Sequence, residues 1–142
     1  MIEKTREIPE TERQALIEKL AQTLIARPEV LFVYVHGSFI KGGRFRDIDL
    51  AVFLREIPSS PLKYELEMEI ELLKATGGLP VDVRILNAAP LPFRYQVIKE
   101  GIPLAVRGNA ERVDFVEATI IQYLDFAPHL ENYLKETIGL GV

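Results

Sequence analysis

Six consecutive apolar residues, Val30-Leu31-Phe32-Val33-Tyr34-Val35, most constrain what this chain can become. They are β-branched, aromatic or aliphatic, of strand length, and they break off abruptly at Gly37-Ser38. The preceding segment has a different period. Leu16, Leu20 and Leu24 recur every four residues beside Ile17, Ala21 and Ile25, giving the broad apolar face of a helix. Pro9 or Thr11 starts that helix and Pro28 stops it near Ala26. A second strand reads Asp47 to Leu54, and a turn follows at Pro58-Ser59-Ser60-Pro61. Leu62 to Ala75 is helical in pattern and closed by Gly77-Gly78. Val81 to Leu86 is a third strand, Pro92 to Glu100 a short helix, and Ile102 to Val106 an extended piece. A long C-terminal helix is expected from Asn109 to about residue 136, with Val113, Val116, Ile120, Tyr123 and Leu124 on one side. Pro128 is expected to kink or restart it. Repeats, linkers and low-complexity stretches are missing, so the expectation is one α+β (α/β) domain over residues 1–142.

Composition narrows the function classes. A chain of 142 residues can bury roughly 68–70% of its unfolded surface, enough for a core without staples. Seventeen Lys+Arg against 21 Asp+Glu leave a net charge of −4, so direct nucleic-acid binding is not expected. With no cysteine, a disulfide framework, a thiolate metal site and a Cys nucleophile are excluded together. No apolar run approaches the ~18 residues of a membrane span. The acidic, Pro-interrupted start is not a signal peptide, and a cytoplasmic location without a membrane partner is expected.

Three features can carry chemistry. Gly37-Ser38 leaves a strand where a backbone without Cβ can turn sharply and approach a ligand, with amides and a hydroxyl free to donate to phosphate. Alone, it also reads as a tight turn. Asp47 and Asp49 alternate with Ile48, Leu50, Val52 and Leu54, which form an aliphatic face toward the core. A rise of ~3.3 Å per residue puts the two acids about 7 Å apart on one strand face. Hard carboxylates crowded this way suit Mg²⁺ or Mn²⁺; the other reading is a solvated pair with Asp47 as a cap. Asp82 stands between Val81 and Val83, where an acid needs a partner or a metal, and Arg84 offers an ion pair as the alternative. Together the three could build a two-metal site for phosphoryl transfer.

Gly37-Ser38-Phe39 followed by Asp47-Ile48-Asp49-Leu50 resembles the signature of the nucleotidyltransferase superfamily related to DNA polymerase β, and the chain's length resembles its minimal branch, the MNT proteins. Arg94 to Gly101, Pro103-Leu104, Glu117 and Tyr123-Leu124-Asp125-Phe126 resemble the antitoxin-type MNT proteins that partner HEPN ribonuclease toxins; the likeness spans residues 10 to 135. The resemblance implies a small mixed sheet flanked by helices. It implies that Gly37 and Ser38 hold the β- and γ-phosphates of ATP, and that Asp47 and Asp49 ligate metal, Mg²⁺ (two ions) or Mn²⁺. Asp82 would be the third carboxylate, completing the metal site and accepting the proton of the attacking hydroxyl. The implied activity moves AMP from ATP onto a tyrosine of a HEPN toxin; the alternative is a catalytically silent module that neutralises the toxin by steric contact. Two departures stand out: the connection from Ser38 to Asp47 is shorter than in many members, and Arg46 stands where a Ser often precedes the first Asp. His36 ends an apolar strand and reads as packed, and His129 has no partner pattern. Lys41 and Arg44 give the loop a charge suited to triphosphate, and Tyr123 and Phe126 read as core or interface residues.

Overall fold

Strand β1 (Val30–His36) is buried from Val30 to Val35, which requires cover on both faces. The computed structural model, which describes residues 4–138, supplies it with two layers. Val30, Val33 and Val35 join an aliphatic layer, while Leu31, Phe32 and Tyr34 join an aromatic one. A register irregularity between Val30 and Phe32 explains why Val30 and Val33, an odd number of residues apart, share a face.

Helices α1 (Glu10–Ile25) and α3 (Pro61–Ala75) cover the aliphatic side with Leu20, Leu24, Met68 and Leu72. Beneath them lie Ile48, Leu50, Val52 and Leu54 of β2 (Ile48–Leu54) and Val81, Val83 and Ile85 of β3 (Val81–Ile85). The aliphatic face expected of the second strand is therefore the one that is buried. On the other side, α4 (Leu91–Glu100) and α5 (Asn109–Ile138) bring Val97 and Phe115 onto the aromatic layer. There the Phe32 and Phe53 rings stack 4.8 Å apart, and Phe115 leans on both at 5.7 and 5.4 Å.

The strands are ordered β3-β2-β1-β4, with β4 spanning Ile102–Val106. β1 is antiparallel to β2 and β4, while β2 and β3 run parallel because α3 carries the chain back between them. This is the mixed, helix-flanked α+β sheet that was expected.

Two expectations for α5 need correction. The helix continues through Pro128 rather than restarting there. Pro128 lacks the amide that would bond the carbonyl of Leu124, a residue 65% exposed, so water can serve that carbonyl. The apolar stripe read from sequence is only partly inward: Val116 packs on the aromatic layer and Tyr123 is half-buried. Phe115 and Thr119 are buried, whereas Val113, Ile120 and Leu124 are exposed.

Leu50→Ala, in the middle of the aliphatic layer, should lower stability by about 2–5 kcal/mol. Leu124→Ala should change it by less than about 0.5 kcal/mol. Urea unfolding followed by far-UV circular dichroism separates the two.

Candidate active site

The site grows from the end of β1. Gly37 adopts φ +78°, a conformation that L side chains rarely take, and turns the chain into α2 (Ser38–Lys41), whose first residue is Ser38. A Cβ at Gly37 would fall on the carboxylate of Asp49, 3.1 Å from its Cγ. The glycine is needed for both reasons, and the turn and the acid meet there. Ser38 is exposed beside them, and Asp47 occupies the bend just before β2.

Strand register then adds two more groups. His36 of β1 lies opposite Asp49 of β2, which lies opposite Asp82 of β3. Burial raises the Asp49 carboxyl to about 6, helped by the charges of Asp47 and Asp82 and opposed by Arg46 and Arg84. Asp47 and Asp82 thus both act on Asp49 electrostatically. The Asp82–Arg84 ion pair offered as an alternative is also present, at 3.7 Å, but both side chains are partly exposed, so the pair is weak. Burial lowers the His36 imidazole, its ring stands edge-on to Phe93 at 5.6 Å, and its Nε2 has no hydrogen-bond partner among the described residues.

These donors are hard carboxylates whose repulsion a divalent cation would relieve, so their chemistry fits Mg²⁺ or Mn²⁺. Among the described residues, no group of three His, Cys, Asp or Glu side chains is arranged to hold an ion.

Sequence reasoning missed Arg13. It is 6% exposed on α1, with its guanidinium 4.7 Å from the Phe39 ring centroid and 5.5 Å from that of Phe45. It donates to the carbonyl of Phe39 in α2 and, at 3.2 Å, to that of Gly43. One buried cation thereby ties together both arms of the loop between Ser38 and Asp47. Within TERQ, on a charged helix start, nothing marked this arginine as buried.

The basic loop is arranged differently from expectation. Arg44 is drawn toward the N-terminal segment, bonding Thr5 Oγ1 at 2.8 Å and the Thr5 carbonyl at 3.0 Å, with Glu7 at 4.0 Å. Tyr123 stacks on Tyr95 with ring centroids 3.6 Å apart and so joins α5 to α4; Phe126 lies 6.3 Å from Tyr123. His129 is exposed.

The chain is thus an α+β domain with a short strand–glycine–helix turn laid against an acid-bearing strand. Residues 18–109 match the family described as polymerase beta, nucleotidyltransferase, and the chain belongs to that family. Among solved structures, it is similar to a chain of a toxin–antitoxin complex with AMP-PNP, at 25% identity and TM-score 0.69, over 87% of this chain and 95% of that one. It is similar to a chain of the tri-AMPylated Shewanella oneidensis HEPN toxin in complex with MNT antitoxin, at 24% identity and TM-score 0.66, over 89% and 96%. A third likeness is to the toxin–antitoxin MntA–HepT, at 22% identity and TM-score 0.59, over 92% and 97%. No curated protein matches the sequence.

A carboxyl raised in the folded state binds more protons there than in the unfolded chain, so its contribution to stability falls as pH rises from about 4 to about 6. At pH 7, with the metal-free chain, Asp49→Asn should therefore raise stability by about 1–2 kcal/mol after discounting for solvent screening. The gain should fade through pH about 4 and be gone by pH about 3, where Asp49 is largely protonated in both states. Urea titrations across this pH range measure this.

Proposed function

We propose that this chain is an MNT-type antitoxin that transfers AMP from ATP to a hydroxyl of a HEPN-family toxin, a tyrosine being the acceptor. The observation that carries the reading is the contact between Gly37 and Asp49. It joins a phosphate-compatible turn to the acid row in one place. The similarity to a toxin–antitoxin complex with AMP-PNP supports ATP as donor. The toxin in the Shewanella complex carries the AMP groups that such a transfer leaves.

In this reading Gly37 and Ser38 receive the β- and γ-phosphates, and Asp47 and Asp49, with Asp82, hold Mg²⁺ or Mn²⁺. When bound, such a cation neutralises triphosphate oxygens and favours attack at phosphorus. Asp82 accepts the proton of the acceptor hydroxyl. The hydroxyl oxygen bonds to the α-phosphorus, the bond from that phosphorus to the bridging oxygen breaks, and pyrophosphate leaves. A tyrosine hydroxyl has an unperturbed pKa of about 10, so it needs a positioned base at neutral pH. The product is a phosphodiester with a negative charge and a bulky adenosine. Near a ribonuclease cleft, it would repel and block an RNA backbone.

Mg²⁺-dependent ATP binding, measured by calorimetry, should disappear in Asp47→Asn/Asp49→Asn. Asp82→Asn should keep most of that binding and lose transfer by about 100-fold or more. Intact-mass spectrometry of a HEPN-family toxin incubated with this chain, ATP and Mg²⁺ should show added AMP. A toxin that gains no mass, yet is inhibited equally by wild-type and Asp47→Asn/Asp49→Asn chains, would establish neutralisation by contact alone.

A further inference from the structure

We propose that the groove between α3 and the start of α4, walled by edge strand β3, is the acceptor subsite, and that it takes a basic polypeptide segment presenting an aromatic hydroxyl to Asp82. This rests on the transfer reading above and names the place where the acceptor binds.

The groove holds about 710 Å³, the size of sites that enclose a drug-sized ligand rather than a single ring. Its rim carries Ile57, Leu62 and Leu66, which are 52%, 66% and 50% exposed, and Phe93 lines its α4 side. These side chains give an occupant apolar area beside the acidic wall.

Charge decides which substrate enters. Glu65, Glu69 and Asp82 line the groove against one cation, Arg84. The Val83 and Ile85 amides that could donate to a phosphate there are taken by Glu69 and Glu65, whereas the Gly37-Ser38 turn offers its own donors, so the nucleotide belongs on the Gly37 side and the acidic groove is left to a cationic segment. The backbone of the wall is already satisfied. Glu69 accepts from the Val83 amide at 2.8 Å, and Glu65 accepts from the Ile85 amide at 2.9 Å. An occupant therefore cannot pair with these two amides as an added strand while the caps hold, and side-chain contacts must hold it. Asp82 is common to both regions, lying in register with Asp49 and lining the groove. A hydroxyl arriving through the groove thus meets the proposed proton acceptor.

The test compares AMP transfer to a HEPN-family toxin by wild type, Leu62→Asp/Leu66→Asp and Glu65→Gln. The glutamine keeps a side-chain oxygen for the Ile85 amide and removes only charge, and Glu69 is left in place because it interacts directly with Asp82. Both variants should lose about tenfold or more in kcat/KM for the acceptor, while Mg²⁺-dependent ATP affinity stays within about twofold. The loss in the glutamine variant should shrink at high salt. A photo-crosslinking residue at position 62 should capture the HEPN protein at the segment bearing the modified residue. Unchanged acceptor kcat/KM in Leu62→Asp/Leu66→Asp would overturn the groove while leaving the transfer reading intact, because wild type transfers in the same assay. Labelling of residues 62–69 by an azido-ATP probe would overturn it too. A wild-type chain that transfers no AMP would overturn the transfer reading, and the subsite with it.

Discussion

Burial of β1 on both faces is the constraint on which the site depends. The aliphatic and aromatic layers pin this strand from opposite sides, so its pairing with β2 has little freedom. A one-residue slip of β2 would exchange its two faces, driving Asp49 into the aliphatic layer and Leu50 out of it. Hydrophobic packing thus enforces the placement of an acid that it does not touch. Parallel pairing of β3 extends the same register to Asp82. The row of His36, Asp49 and Asp82 is a by-product of how valines and leucines pack.

That placement is unfavourable in the metal-free chain. Asp49 is held among other acids where desolvation and repulsion both oppose its charge. Such local strain is common where a fold serves a reaction, and the surrounding structure must compensate for it. Arg13 contributes here in an unexpected way. Its buried guanidinium sits against Phe39 and Phe45, which themselves join the aliphatic layer, and binds two loop carbonyls, so the connection is fastened to α1 as well as to the core.

Much of this was readable from the chain. The Val30–Val35 run, the alternation across Ile48 to Leu54 and the Gly-Pro punctuation identified the first three strands and their helices, because each signal lies within a few residues. The acid pair and the Gly-Ser turn were legible for the same reason. What was hidden depends on contacts across long stretches of sequence. Arg13 reaches partners 26 and 30 residues away and reads locally as a solvated helix arginine. Arg44 looked available for phosphate until the N-terminal segment folded against it. On α5, Phe115 and Thr119 are buried with Val116 and Tyr123 packed beside them, while Val113, Ile120 and Leu124 of the expected stripe are exposed. Periodicity identifies an apolar face without saying what covers it.

The two margins of the sheet differ in chemistry and converge on one outcome. At one margin, carboxylates from α3 occupy the amides of Val83 and Ile85. At the other, β4 contains Pro103, which has no amide to offer. Neither margin presents an unbroken row of donors to a neighbouring molecule, so recruitment of further strands, the first step toward fibrous self-association, is discouraged at both. The glutamates that close one of these margins thus also guard the colloidal stability of the protein at the concentrations at which it is made.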